Sequence, residues 1–68
     1  IDVGVKAKIY RLMEGFKRDG ISVLMVSEEM MELIGMADRI ITMKDGRRTG
    51  EFTRSENLGE ADIIQAII

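Results

Sequence analysis

Ile21-Ser22-Val23-Leu24-Met25-Val26 is almost unbroken in apolar residues and rich in β-branched ones, as expected of a strand covered on both faces. Upstream, Val5, Ile9, Leu12, Met13 and Phe16 recur at helical spacing, with Lys6, Lys8, Arg11, Glu14, Lys17 and Arg18 on the other side. This pattern predicts an amphipathic helix from Val5 to Arg18. Asp19-Gly20 should close it, because glycine takes the left-handed conformation that ends helices and Lys17 and Arg18 suit the negative end of the dipole. A helix feeding a doubly covered strand points to a parallel α/β sheet.

Downstream of the strand, Ser27 is placed to cap a second helix, with Glu28 and Glu29 in its first turn. Met30, Leu33, Ile34 and Ala37 share one face of that helix, and Gly35 weakens or ends it. Arg39 to Met43 reads as a further apolar strand, Asp45-Gly46 as a tight turn, and Arg47 to Thr53 as a more polar returning strand at a sheet edge. Asn57 with Glu60 three residues on resembles a capping box, followed by Ala61, Ile63, Ile64, Ile67 and Ile68 on a last helix. The expected order is therefore helix, parallel strand, helix, β-hairpin, helix. One buried strand and a hairpin cannot cover three apolar helix faces, so further strands are expected beyond these residues. No internal repeat or linker divides the chain, and residues 1–68 form one unit.

With 68 residues the chain holds one small unit, and domains of about 60 residues bury only ~60% of the surface their unfolded chain exposes. A hydrophobic content of 46% against 32% charged is ordinary for a packed protein. Cysteine is absent, so neither disulfides nor thiolate metal sites can reinforce the core. The net charge of −2, with cations scattered among acids, argues against nucleic acid or an anionic membrane surface as partner. The longest unbroken apolar run, Val23 to Val26, is far short of the ~20 residues of a membrane span. The chain opens on Ile1 with no basic and apolar leader behind it, so a piece of a longer polypeptide is expected.

Without histidine or cysteine, a Ser-His-Asp triad, a Cys-His pair and the usual zinc sites are excluded. Glu28, Glu29 and Glu32 crowd one helix turn, where acids commonly serve as a solvated face that suits the dipole. The methionines, 6 in all, are expected to fill the core, mostly through Met25, Met30, Met31, Met36 and Met43. No GxxxxGK[ST] phosphate loop is present.

Three stretches carry a family resemblance. Ile1-Asp2-Val3-Gly4-Val5-Lys6-Ala7-Lys8-Ile9-Tyr10 resembles the D-loop and following helix of ABC ATPases, in the form found in the second nucleotide-binding domain of ribose, galactose and arabinose importers. Val23-Leu24-Met25-Val26-Ser27-Glu28-Glu29 is similar to the family's strand and switch region, and residues 37–47 to its strand, turn and strand. They follow one another in the family's order and span nearly the whole chain. The resemblance implies the C-terminal part of a P-loop-type nucleotide-binding domain.

For the parent protein it implies an ATPase using ATP and magnesium. It would power monosaccharide uptake with a second nucleotide-binding domain and membrane permease subunits, on the cytoplasmic face of the cell membrane. The segment alone, lacking the phosphate loop, is expected to bind no cofactor and to be inactive. Asp2, with Val3 and Gly4, matches the D-loop at the interface of the two domains; Asp2 is also placed to cap the first helix.

Counting ten residues back from Asp38, Glu28 stands at the position of the switch histidine, beside Ser27. A carboxylate only accepts hydrogen bonds, and two unit negative charges about 4 Å apart repel by roughly 4 kcal/mol at an effective dielectric of about 20. Glu28 must then point away from phosphate, be protonated, or act on a water; otherwise it only suits the helix N-terminus. A different class of function also fits these residues: a freestanding small α/β interaction module that self-associates through the Ile63, Ile64, Ile67 and Ile68 face.

Overall fold

A computed structural model describes residues 3–68, arranged as α1 (Val3–Arg18), α2 (Met30–Met36), β1 (Arg39–Lys44), β2 (Arg47–Thr53) and α3 (Glu60–Ile67). The hairpin forms where the sequence places it. Asp45 and Gly46 both have positive φ, 52° and 78°, the backbone of a two-residue turn whose twist matches antiparallel strands. β1 and β2 pair antiparallel, with Ile40 opposite Phe52 and Thr42 opposite Gly50. Beyond Thr42 the register slips, since Met43 pairs with Arg48, leaving Thr49 as the extra residue of a bulge.

Alternation along β1 turns Ile40 and Thr42 inward and leaves Ile41 and Met43 exposed. α3 packs across that inner face and also touches α2. Ile63 of α3 is only 1% exposed, and with Ile40 it makes up the fully buried apolar core. Gly50 permits the close approach of α3. A Cβ there would lie 3.0 Å from Thr42 Oγ1, 3.2 Å from a Phe52 ring carbon and 3.3 Å from Ala66 Cβ. The buried Thr42 hydroxyl is satisfied by the Thr49 hydroxyl at 3.0 Å.

α1 starts at Val3, two residues before the first periodic position, and ends as its sequence predicts. Gly20 N donates to Lys17 O at 3.0 Å and Ile21 N to Phe16 O at 2.9 Å, with Gly20 at φ 81°. These paired bonds and the left-handed glycine form a Schellman closure.

Four expectations are corrected. Residues 21–27 form no strand and join no sheet, and the sheet among the described residues is two-stranded and antiparallel, not parallel. A parallel strand needs neighbours to take its N–H and C=O groups, and among the described residues the hairpin pairs only with itself. Leu24 and Val26 are accordingly 93% and 92% exposed.

Next, α2 begins at Met30, so Ser27 does not cap it and Glu28 and Glu29 lie outside its first turn. The Ser27 hydroxyl instead accepts from Glu29 N at 3.0 Å, a local bond that competes with helix formation. Third, α3 begins at Glu60 and not after Asn57: Gly59 is its N-cap, and its N–H donates to Asp62 Oδ2 at 3.0 Å. Asn57 N is drawn into a turn by the Ser55 hydroxyl at 3.2 Å.

Met31 and Met43 are also exposed, against the expectation that the methionines fill a core. For Met43 the cause is alternation along β1, which turns it away from the face that buries Ile40 and Thr42. α1 buries no residue at all, and Val5, Ile9, Leu12 and Phe16 on its apolar face stay largely exposed.

Candidate functional site

Among the described residues, polar side chains join α1 to the rest of the chain near both of its ends. At its C-terminal end, Lys17 Nζ lies 2.7 Å from Asp38 Oδ1, just before β1. That contact holds the Asp38 carboxyl below its ordinary value and the Lys17 ammonium above its own. Near its N-terminal end, Lys6 and Tyr10 are one turn apart and therefore share a face.

That face meets the segment from Ser27 to Glu32. Lys6 Nζ donates to both carboxylate oxygens of Glu29 at 2.9 Å and lies 3.7 Å from Glu32 Oε2. The Tyr10 hydroxyl donates to Glu32. Ser27 lies beside them, its hydroxyl accepting from Glu29 N at 3.0 Å. The side chains of Lys6 and Glu32 are 25% and 15% exposed, while Glu29 is 66% exposed, so the Glu32 side of the cluster is shielded and the Glu29 side is a surface pair.

The charges follow from these contacts. Glu32 is held below the ordinary glutamate value, first by the Ser27 hydroxyl and then by the Tyr10 hydroxyl. Tyr10 is raised, chiefly by donating its proton to Glu32. Lys6 is raised, chiefly by its bond to Glu29. At neutral pH Lys6 is therefore an ammonium, Tyr10 a neutral phenol and Glu32 a carboxylate.

Of the residues singled out from sequence, Ser27 lies inside this cluster and Glu28 beside it, exposed and engaged in none of these contacts. Val3 and Gly4 form the first turn of α1, less than one turn from Lys6, and Asp2 lies outside the described residues. Among the described residues no group of acids is arranged to hold a metal ion, and no helix is long and apolar enough to cross a membrane.

Sequence reasoning passed over Lys6, Tyr10, Glu29 and Glu32 as a group, since each had a sufficient local role on a solvated helix face. The available signal was the matched spacing, Lys6 and Tyr10 one turn apart facing Glu29 and Glu32 three apart. It also passed over Arg54, whose side chain donates to Ala37 O at 3.2 Å and Gly35 O at 2.5 Å.

No family model matches the chain, and no solved structure matches it. A curated protein of Rhizobium etli does, at 52% identity over 56 residues, which is 82% of this chain. That protein bears the provisional name ribose/galactose/methyl galactoside import ATP-binding protein 1. The match occupies 11% of its length, so the chain spans about a tenth of the relative it resembles.

Proposed function

We propose that this chain, which is related to the sugar-import ATP-binding proteins of ABC transporters, forms the C-terminal part of a second nucleotide-binding domain over residues 1–68. In this reading the whole protein binds ATP and magnesium through residues elsewhere in its sequence. It drives monosaccharide uptake through permease subunits, at the cytoplasmic face of the membrane. The observation that carries the reading is 52% identity extending over 82% of the chain.

A structural feature supports it. Large apolar side chains lie open on α1 and on 21–26, an arrangement that fits a segment normally covered by neighbouring strands. Phosphoryl chemistry depends on a phosphate loop and on magnesium, so the reading assigns the triphosphate to residues outside 1–68.

Within that protein, Asp2, Val3 and Gly4 are the D-loop facing the other nucleotide-binding domain. Ser27 and Glu28 are the switch segment, where Glu28 replaces the hydrogen-bond donor or positive charge of a histidine with an acceptor. Such a half-site holds ATP in a pair of domains more readily than it hydrolyses it.

The test is reconstitution of the whole protein with its permease subunits in vesicles, followed by uptake of labelled ribose and galactose. We expect uptake with magnesium and ATP and none with a non-hydrolysable analogue. Uptake independent of ATP, or no uptake of either sugar, contradicts the reading.

A further inference from the structure

Among the described residues 21–27 pairs with no strand and α1 buries no residue, so their mutual contacts are polar ones. What joins the two is the cluster of Lys6, Tyr10, Ser27, Glu29 and Glu32. Each side contributes two long groups, and the Ser27 hydroxyl accepts from Glu29 N within its own segment. Lys6 stands three residues after Val3, where α1 begins, while Ser27 and Glu28 are held through Glu29, whose N–H and carboxylate are both engaged.

We propose that Lys6 and Tyr10 are positioning residues that lock the Ser27–Glu29 bend to α1, so that a displacement at the start of α1 moves the bend with it. The inference rests on the reading of Asp2 to Gly4 and of Ser27 and Glu28 given above. It adds a direct mechanical link between those two places that neither residue set contains by itself. Two carboxylates against one ammonium and one phenol make the link directional, since Lys6→Glu would set a third carboxylate against Glu29 and Glu32.

The experiment uses the whole protein assembled with its permease subunits. Hydrogen exchange of residues 27–33 is measured alongside kcat and KM for ATP, in Lys6→Ala, Tyr10→Phe, Lys6→Glu and the exchanged pair Lys6→Glu with Glu29→Lys. We expect each single variant to exchange several-fold faster over 27–33 and to lose kcat while KM for ATP holds. The exchanged pair should recover most of both, which simple damage to the fold would not do.

Unchanged exchange in Lys6→Ala and Tyr10→Phe overturns the proposal. So does faster exchange with kcat intact, or an exchanged pair no better than Lys6→Glu. If the assembled protein turns over no ATP, the functional reading fails, while the exchange measurement still decides whether the lock exists.

Discussion

Arg54 Nη2 donates to the carbonyl of Gly35 at 2.5 Å, and the same guanidinium reaches Ala37 O at 3.2 Å. α2 has no basic residue in its own last turn. A side chain from the far end of the hairpin therefore supplies the cation and donors that its C-terminal carbonyls need.

Arg54→Ala should cost about 0.3–1 kcal/mol, the usual worth of a cation at an exposed helix end. Local hydrogen exchange reads it best: the Ala37 N–H, bonded to Leu33 O at 2.9 Å, should exchange faster than in the native chain. Arg54→Lys should restore less than the native residue, because a compact ammonium lacks the planar, spaced N–H groups with which the guanidinium reaches both carbonyls. Equal protection in all three would show that α2 closes without Arg54.

Gly50→Ala sets two effects against each other. Loss of unfolded-state freedom favours the variant by about 0.4–1 kcal/mol. Overpacking against Thr42, Phe52 and Ala66 costs about 1–3 kcal/mol, and Thr42, the nearest of the three, is itself buried. The net effect should be destabilising, and denaturant melts of the protein measure it. Ala66→Gly in the same background should recover part of the loss, since it removes one of the three close contacts.

The α1 cluster has a pH window. Glu32 is depressed in the fold, so its contribution is present above about pH 4.3 and is lost as pH falls through the folded value. Tyr10 and Lys6 are raised, so theirs are present below about pH 10 and are lost as pH rises through the folded values. Tyr10 is the single tyrosine of the chain, which makes its phenolate absorbance a direct reporter. Its midpoint should lie above the ordinary tyrosine value, and Glu32→Gln should lower it. A native midpoint at the ordinary value would mean that the Tyr10–Glu32 bond does not persist.

The hairpin and the C-terminal end of α1 were legible because their causes are local: Asp45-Gly46 dictates the turn and Asp19-Gly20 the helix stop. The strand at 21–26 was legible only as a demand for neighbours, since apolar β-branched residues state what should cover them and not what does. Helix starts were misplaced at Ser27 and Asn57 because nearby hydroxyls offered competing turn bonds. Ser27 and Glu28 were singled out by resemblance, whereas the cluster that includes Ser27 joins residues more than twenty apart, beyond what periodicity reports.

Leu24 separates a covered segment from a freestanding module. In the 68-residue chain it is 93% exposed, so Leu24→Ser should change stability by no more than about 0.5 kcal/mol. In the whole protein the same change should cost about 3 kcal/mol or more, because a hydroxyl would replace a packed side chain. Thermal melts of both forms show it, and an equal effect in the two would favour the self-associating module.

The most direct measurement is a titration of ATP, with and without magnesium, against the whole protein and the 68-residue chain side by side. We expect micromolar, magnesium-dependent binding to the whole protein and none to the chain. Magnesium-dependent binding to the chain alone, or no binding to the whole protein, would contradict its place as the C-terminal part of an ATP-binding subunit.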